Sequence, residues 1–250
     1  MRLSSLAALV LSVLVLASCD TPTSDAFSLE VTVEDAAGRP VAGQRVALVF
    51  GSFGSGAAPP APGPPAQRPA AFDVSPVYPT PWVRTARVVV SLDAPAATRV
   101  DLVDLGGAVV ATPFEGTLGA GQTVLLVTDE PTPGAALPAG VYQLRVTAGT
   151  EVQTRTTVRT DAFGGIDLGR TLGVTAADGT LTTTDRTVAP ALFSVGPIGF
   201  YNEGGGSIGT FTFPRSVRVV TLDGDGSVVG AVPVTLRDGR NRVTVEGGRP

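Results

Sequence analysis

The chain has 250 residues, 18 basic against 22 acidic, a formal net charge of −4, and no Lys or His, so every basic side chain is Arg. That excludes Ser-His-Asp and Cys-His nucleophile pairs, His-ligated zinc, Schiff-base lysines and the phosphate-gripping P-loop Lys, and the acidic balance argues against nucleic acid, which requires a clustered basic face. With 31 Gly, 21 Pro, 36 Val and 29 Thr, the composition suits pleated, half-buried surfaces and turns better than helices, and predicts an all-β protein.

At the N-terminus, Met1 and Arg2 give a positive start and Leu6 to Ala17 form a 12-residue run broken only by Ser12. Such a run is too short to span a bilayer, which takes about 20 residues, and reads as a signal-peptide helix. It ends in Leu16-Ala17-Ser18-Cys19, which closely resembles the lipobox of bacterial lipoproteins. The resemblance implies a signal peptide over 1–18, cleavage before Cys19, and acylation of its thiol and amine. Two or three acyl chains hold a protein stably at a membrane, whereas one holds it marginally. The bland alternative is an ordinary secretory peptide cleaved elsewhere. Cys19 is the only cysteine, so no disulfide forms within one chain. Because Arg2 leaves with the leader, the remainder is more acidic than the whole, and no electrostatic attraction to anionic lipid is expected.

After a tether over 19–26, residues 27 to 34 alternate: Phe27, Leu29, Val31 and Val33 lie on one face and polar residues on the other. That is the period of a half-buried strand. Asp35 to Pro40 supplies a turn and Arg45 to Phe50 a return strand, giving a predicted β-hairpin over 27–50. A lone hairpin is marginal, so this one is expected to pack with residues 161–250. Residues 51–71 are Gly/Ser-rich and then Pro-rich, with six prolines from Pro59 to Pro69. This predicts an extended linker and a domain boundary; the alternative is a long ordered loop.

Over 72–160, period-two segments (Val88, Val90, Leu92; Val100, Leu102; Tyr142, Leu144, Val146) are separated by turn signals at intervals that suit a sandwich. The same stretch resembles the Ig-like module of the flagellar hook-scaffold protein (FlgD type) and of C-terminal sorting domains of type IX secretion cargo. The resemblance rests on Tyr78-Pro79-Thr80-Pro81-Trp82, on the RVDLVDLGGAVVAT segment (99–112), on LPAGVYQLRV (137–146) and on the final strand from Glu151 to Arg159. It implies an Ig-like β-sandwich. Sorting activity is not expected to carry over with the fold, since a sorting signal is C-terminal and this segment is internal. Tyr78, Trp82 and Tyr142 are read as core plugs, with an aromatic ligand platform as the alternative.

The rest, 161–250, reads as a second β-rich domain, with strands expected at 169–175, 180–184, 191–195, 208–213, 216–222, 228–236 and 241–246. Asp178-Gly179, Asp223 to Gly226 and Asp238-Gly239 carry hairpin turn chemistry. An ungapped match of 28–48 with 216–236 reflects shared turn chemistry or duplication. Gly204 to Gly209 fits both GxGxxG and a GxSxG elbow centred on Ser207, but each motif requires a following helix and the residues after it read as strand. Asp223 and Asp225 are weak metal candidates, spaced like the start of a calcium loop whose twelfth position, Val234, supplies no carboxylate. Asp101 with Asp104, or Asp129 with Glu130, are the carboxylates a glycosidase would use. No catalytic residue and no cofactor is assigned. The expectation is a lipid-anchored protein of the bacterial cell envelope, attached through acylated Cys19, with a protein or glycan partner. A glycan-binding lipoprotein is the second reading and a carboxylate glycoside hydrolase the third.

Overall fold

The computed structural model describes residues 26–52, 72–131, 134–164, 167–193 and 195–247. The leader, Cys19 and nearly all of the linker therefore lie outside the described residues. In chain order the strands are β1 (Ser28–Glu34), β2 (Arg45–Ser52), β3 (Phe72–Val74), β4 (Thr85–Leu92), β5 (Ala96–Val103), β6 (Val109–Leu118), β7 (Gly121–Thr128), β8 (Gly140–Ala148) and β9 (Glu151–Arg159). They continue with β10 (Asp161–Phe163), β11 (Asp167–Val174), β12 (Thr180–Thr183), β13 (Ile198–Tyr201), β14 (Ser207–Phe211), β15 (Ser216–Leu222), β16 (Val228–Thr235) and β17 (Arg240–Glu246). Two short 3-10 turns, Arg186–Val188 and Pro190–Phe193, are the only helical pieces among the described residues. The protein is all-β.

Residues 72–160 form a sandwich of a three-stranded sheet, β3-β4-β7, and a four-stranded sheet, β6-β5-β8-β9. Alternation places Val88 and Val90 of β4, Val127 of β7, and Val100, Leu102, Leu144 and Val146 of the opposite sheet in one core with Trp82. The two amphipathic sheets bury the faces that the period-two pattern marks as apolar.

The second sandwich is composite. A three-stranded sheet, β12-β1-β17, faces a five-stranded sheet, β10-β11-β2-β15-β16. Leu29, Val31 and Val33 of β1 and Val245 of β17 meet Val46, Leu48 and Phe50 of β2 and Val217 and Val219 of β15. The 27–50 segment does pair with strands of 161–250, but it is not a hairpin. β1 lies between β12 (antiparallel) and β17 (parallel), and β2 between β11 and β15, in the opposing sheet. Pairing across the Asp35 turn starts with a Glu34–Pro40 bridge and a bond from Val41 N to Val33 O, and then stops. Pro40 has no N–H for a ladder, both edges of β1 are occupied, and Gly43 (φ 69°) donates to Thr175 O as the chain crosses to the other sheet. The Asp178-Gly179 and Asp238-Gly239 turns likewise join strands of opposite sheets; the Asp223–Gly226 turn alone of the three joins paired neighbours, β15 and β16.

The expected strand at 191–195 is instead the second 3-10 turn. Pro190 is preset for a helical φ, and Arg186 holds the turn by donating to Leu192 O at 3.0 Å while its guanidinium sits 4.7 Å from the Phe193 ring centroid. The likeness between 28–48 and 216–236 is one of turns and not of placement, since β15 and β16 pair whereas β1 and β2 do not.

Candidate binding site at the junction of the sandwiches

The Tyr-Pro-Thr-Pro-Trp segment stitches the two halves together. Trp82 N donates to Val158 O and Thr160 N to Trp82 O, tying the segment to β9. Thr80 and Tyr201 exchange N–H···O bonds of 3.0 and 2.9 Å, tying it to β13. Val141 and Val158, which point away from the 72–160 core, are buried in the core of the composite sandwich. Trp82 is 1% exposed and Tyr142 5% exposed, so both are core plugs and neither belongs to an exposed platform. Tyr78 is half-buried against the turn at Gly205.

Besides a small apolar recess of about 50 Å³ lined by Phe50, Pro81, Val158, Phe200, Phe211 and Phe213, two larger recesses open at this seam. The first is a cleft of about 200 Å³ between Asp104 and Tyr142 on one side and Arg170, Asp185 and Thr187 on the other. Arg170 donates to Asp185 Oδ2 at 2.6 Å and to Thr187 Oγ1 at 2.9 Å, and Asp185 Oδ1 caps the first 3-10 turn by accepting from Thr187 N at 2.9 Å. Burial pushes the Asp185 carboxyl up, but bonds from Thr187 and the charge of Arg170 outweigh it and hold the group below the ordinary carboxylate range. Burial also pushes the Tyr142 hydroxyl up to about 12, and it donates to Pro138 O at 2.5 Å. At neutral pH the carboxylate is thus ionised and the phenol protonated, each held by a partner. Such a recess offers fixed charges for recognition, with neither group poised to exchange a proton.

The second recess is an open groove of about 560 Å³ whose walls include Pro79, Pro81, Val83, Tyr201, Glu203 and Ile208. Its size is that of a ligand site. Val83 and Ile208 are exposed along it. β14, which carries Ile208, pairs with β13 on one side and ends its two-stranded sheet on the other.

The residues singled out from sequence have these surroundings. Cys19 lies outside the described residues. Asp223 spends Oδ1 on the N–H groups of Asp225 (3.0 Å) and Ser227 (2.8 Å), closing a turn completed by Gly226 at φ 85°. Among the described residues no three metal-ligating side chains come together. Ser207 opens β14 after the Asn202–Gly206 turn, with strand following it where an elbow requires helix. Asp101 is 3% exposed, and Arg145, Thr112 and Arg99 donate to it. Burial raises its pKa, yet those bonds leave it lowered, as suits a structural ion. Asp104 Oδ1 accepts from Ala108 N at 2.9 Å in its own turn, and Asp129 lies 3.7 Å from Arg159. Glu130 is exposed beside it.

Arg170 and Asp185 are absent from the residues that sequence reasoning singled out, because they meet Tyr142 only through tertiary contact. Comparison with family models, curated proteins and solved structures found no match.

Proposed function

We propose that this chain is a lipid-anchored envelope protein that binds a protein partner without turning it over, using the groove beside the Pro79–Thr85 segment. The groove carries the reading: it is open, of ligand-site size, bordered by exposed Val83 and Ile208 and by the terminal strand β14. An extended peptide adds to such an edge through main-chain bonds and fills such a groove with alternate side chains. The lipobox-like Leu16-Ala17-Ser18-Cys19 supports membrane attachment, and the FlgD-type resemblance of 72–160 supports a scaffold or display role. Burial of Trp82 and Tyr142 removes the aromatic row on which a glycan platform would depend, so the protein reading stands ahead of the glycan one.

The test places a photo-crosslinking residue at Ile208 in the native envelope, with a control at Val229 on β16. A discrete protein adduct from position 208, absent from 229 and lost with Val83→Arg, is the expected result. Capture of glycan without protein would favour the second reading. Hydrolysis of chromogenic glycosides that disappears with Asp185→Asn would overturn both.

A further inference from the structure

The two ends of the composite sandwich carry opposite charge. β1 begins at Ser28, whose N–H donates to Gly239 O, and Asn241 donates to Ser28 O and Arg237 O, while Leu236 N donates to Arg215 O. One end therefore gathers Arg215, Arg237 and Arg240 around the point where the chain arrives from Cys19. All three are exposed, and none takes part in an ion pair among the described residues. Carboxylates of the described residues at that end are already engaged by further arginines: Asp238 by Arg186 at 3.1 Å, Glu30 by Arg242 at 3.3 Å, Asp185 by Arg170 at 2.6 Å and Asp167 by Arg218 at 2.9 Å. At the opposite end β1 and β17 finish side by side at Glu34 and Glu246, and the turns there carry Asp35, Asp178, Asp223 and Asp225.

We propose that the arginine end of the composite sandwich rests on anionic lipid headgroups, orienting the protein with its acidic end away from the bilayer. The proposal builds on the reading of Cys19 as a lipid anchor. From Cys19 to Phe27 the chain reaches at most about 28 Å, so an anchored protein keeps this end within that distance of the membrane. Headgroup attraction acts within about a Debye length, roughly 8 to 10 Å, so the local excess of arginine governs, and not the chain's net charge of −4. Guanidinium groups pair with phosphate oxygens in a bidentate fork, which suits phospholipid headgroups. The competing anions nearest in sequence are Asp20 and Asp25 of the tether.

The test uses the mature chain from residue 19 with Cys19→Ser, so that no acyl chain contributes, in cosedimentation at low salt. Vesicles of phosphatidylglycerol mixed with phosphatidylcholine are compared with phosphatidylcholine alone. Binding is expected to the anionic vesicles only and to fall with salt. Arg215→Gln, Arg237→Gln and Arg240→Gln together should weaken it on the order of a hundredfold, with unchanged thermal unfolding, whereas Arg45→Gln at the far end should leave it unaltered. Equal binding to both vesicle types, no binding, no loss in the triple variant, or retention on heparin without vesicle binding would each overturn the proposal. The anchor itself is read separately, from the mass of Cys19 in native protein, so failure of either reading is seen without the other.

Discussion

Thr157 joins the indole of Trp82 to the backbone. Its Oγ1 accepts from Trp82 Nε1 at 3.0 Å and lies 3.0 Å from Thr80 Oγ1, which in turn donates to Val77 O at 2.6 Å. Because the Thr80 proton is committed to Val77, the Thr157 hydroxyl donates onward, and three bonds run in one direction through a buried site. Thr157→Val keeps the volume but strands the indole N–H and should cost about 1–3 kcal/mol, measured by urea unfolding followed through Trp82 emission; Thr157→Ser should retain most of the stability. Protonation acts at the same scale. Asp101 and Asp185 have folded pKa values below the ordinary 3.8, so their contribution is present above about that pH and is lost as pH falls through the lower folded values. Tyr142 is displaced the other way, from 10.0 to about 12. Its contribution is intact below pH 10 and disappears as pH rises through 12. Urea midpoints should accordingly be flat near neutrality and fall at both extremes.

Between strands, one turn recurs. At Asp35, Asp104, Asn202 and Asp223 the side-chain oxygen accepts from backbone N–H groups of the turn, the residue's own N–H donates to the carbonyl four positions on, and the glycine three positions on donates back. This is a type I turn closed by a left-handed residue. At Asp104, Asn202 and Asp223 the strand beyond it pairs with the strand before, whereas at Asp35 the same turn leads into the opposite sheet, because the partners available to that strand are decided elsewhere. Close backbone approach decides the pairing of β11 with β2. A Cβ on Gly169 would lie 2.0 Å from Leu48 O, at the bulge between Leu168 and Gly169. Gly169→Ala should therefore destabilise by roughly 1–3 kcal/mol, as overpacking does, seen as a lower urea midpoint with unchanged slope. A value within error of wild type would show that β2 can shift to make room.

The composite sandwich depends on a segment far from it in sequence. β1 is the middle strand of its three-stranded sheet and β2 the middle of its five-stranded sheet. Deleting residues 27–50 removes the centre of both layers, and the expected result is that 161–247 becomes protease-sensitive while the 72–160 sandwich stays resistant, because the cluster around Trp82 draws only on residues 72–148. Equal resistance of the C-terminal part with and without 27–50 would show that the remaining strands pair anew. The linker thus joins two stretches that β2 and β3 place in different sandwiches, and Val141 and Val158 make those sandwiches share a seam.

Strand existence was legible where alternation runs over several residues: the pattern of Leu29, Val31 and Val33, or of Val100 and Leu102, is a local consequence of the two-residue period of a pleated chain, and the recurrent Asp-x-x-Gly turns are closed by neighbouring atoms, whereas the short strands β3, β10 and β13 carry too few alternating residues to read, and β7 was marked only by the turn signals that flank it. Motif context was legible too, since the strand after Ser207 is implied by the same alternation. Pairing was not. Whether β2 returns beside β1 or crosses to the facing sheet turns on Pro40, on Gly43 and on the occupation of β1 by β12 and β17, which come from positions up to about two hundred residues away. The junction recesses and the charged ends share that origin, because hydrogen bonding along strands is nearly indifferent to sequence and only tertiary packing brings Arg170 to Asp185 or gathers Arg215, Arg237 and Arg240 at one end.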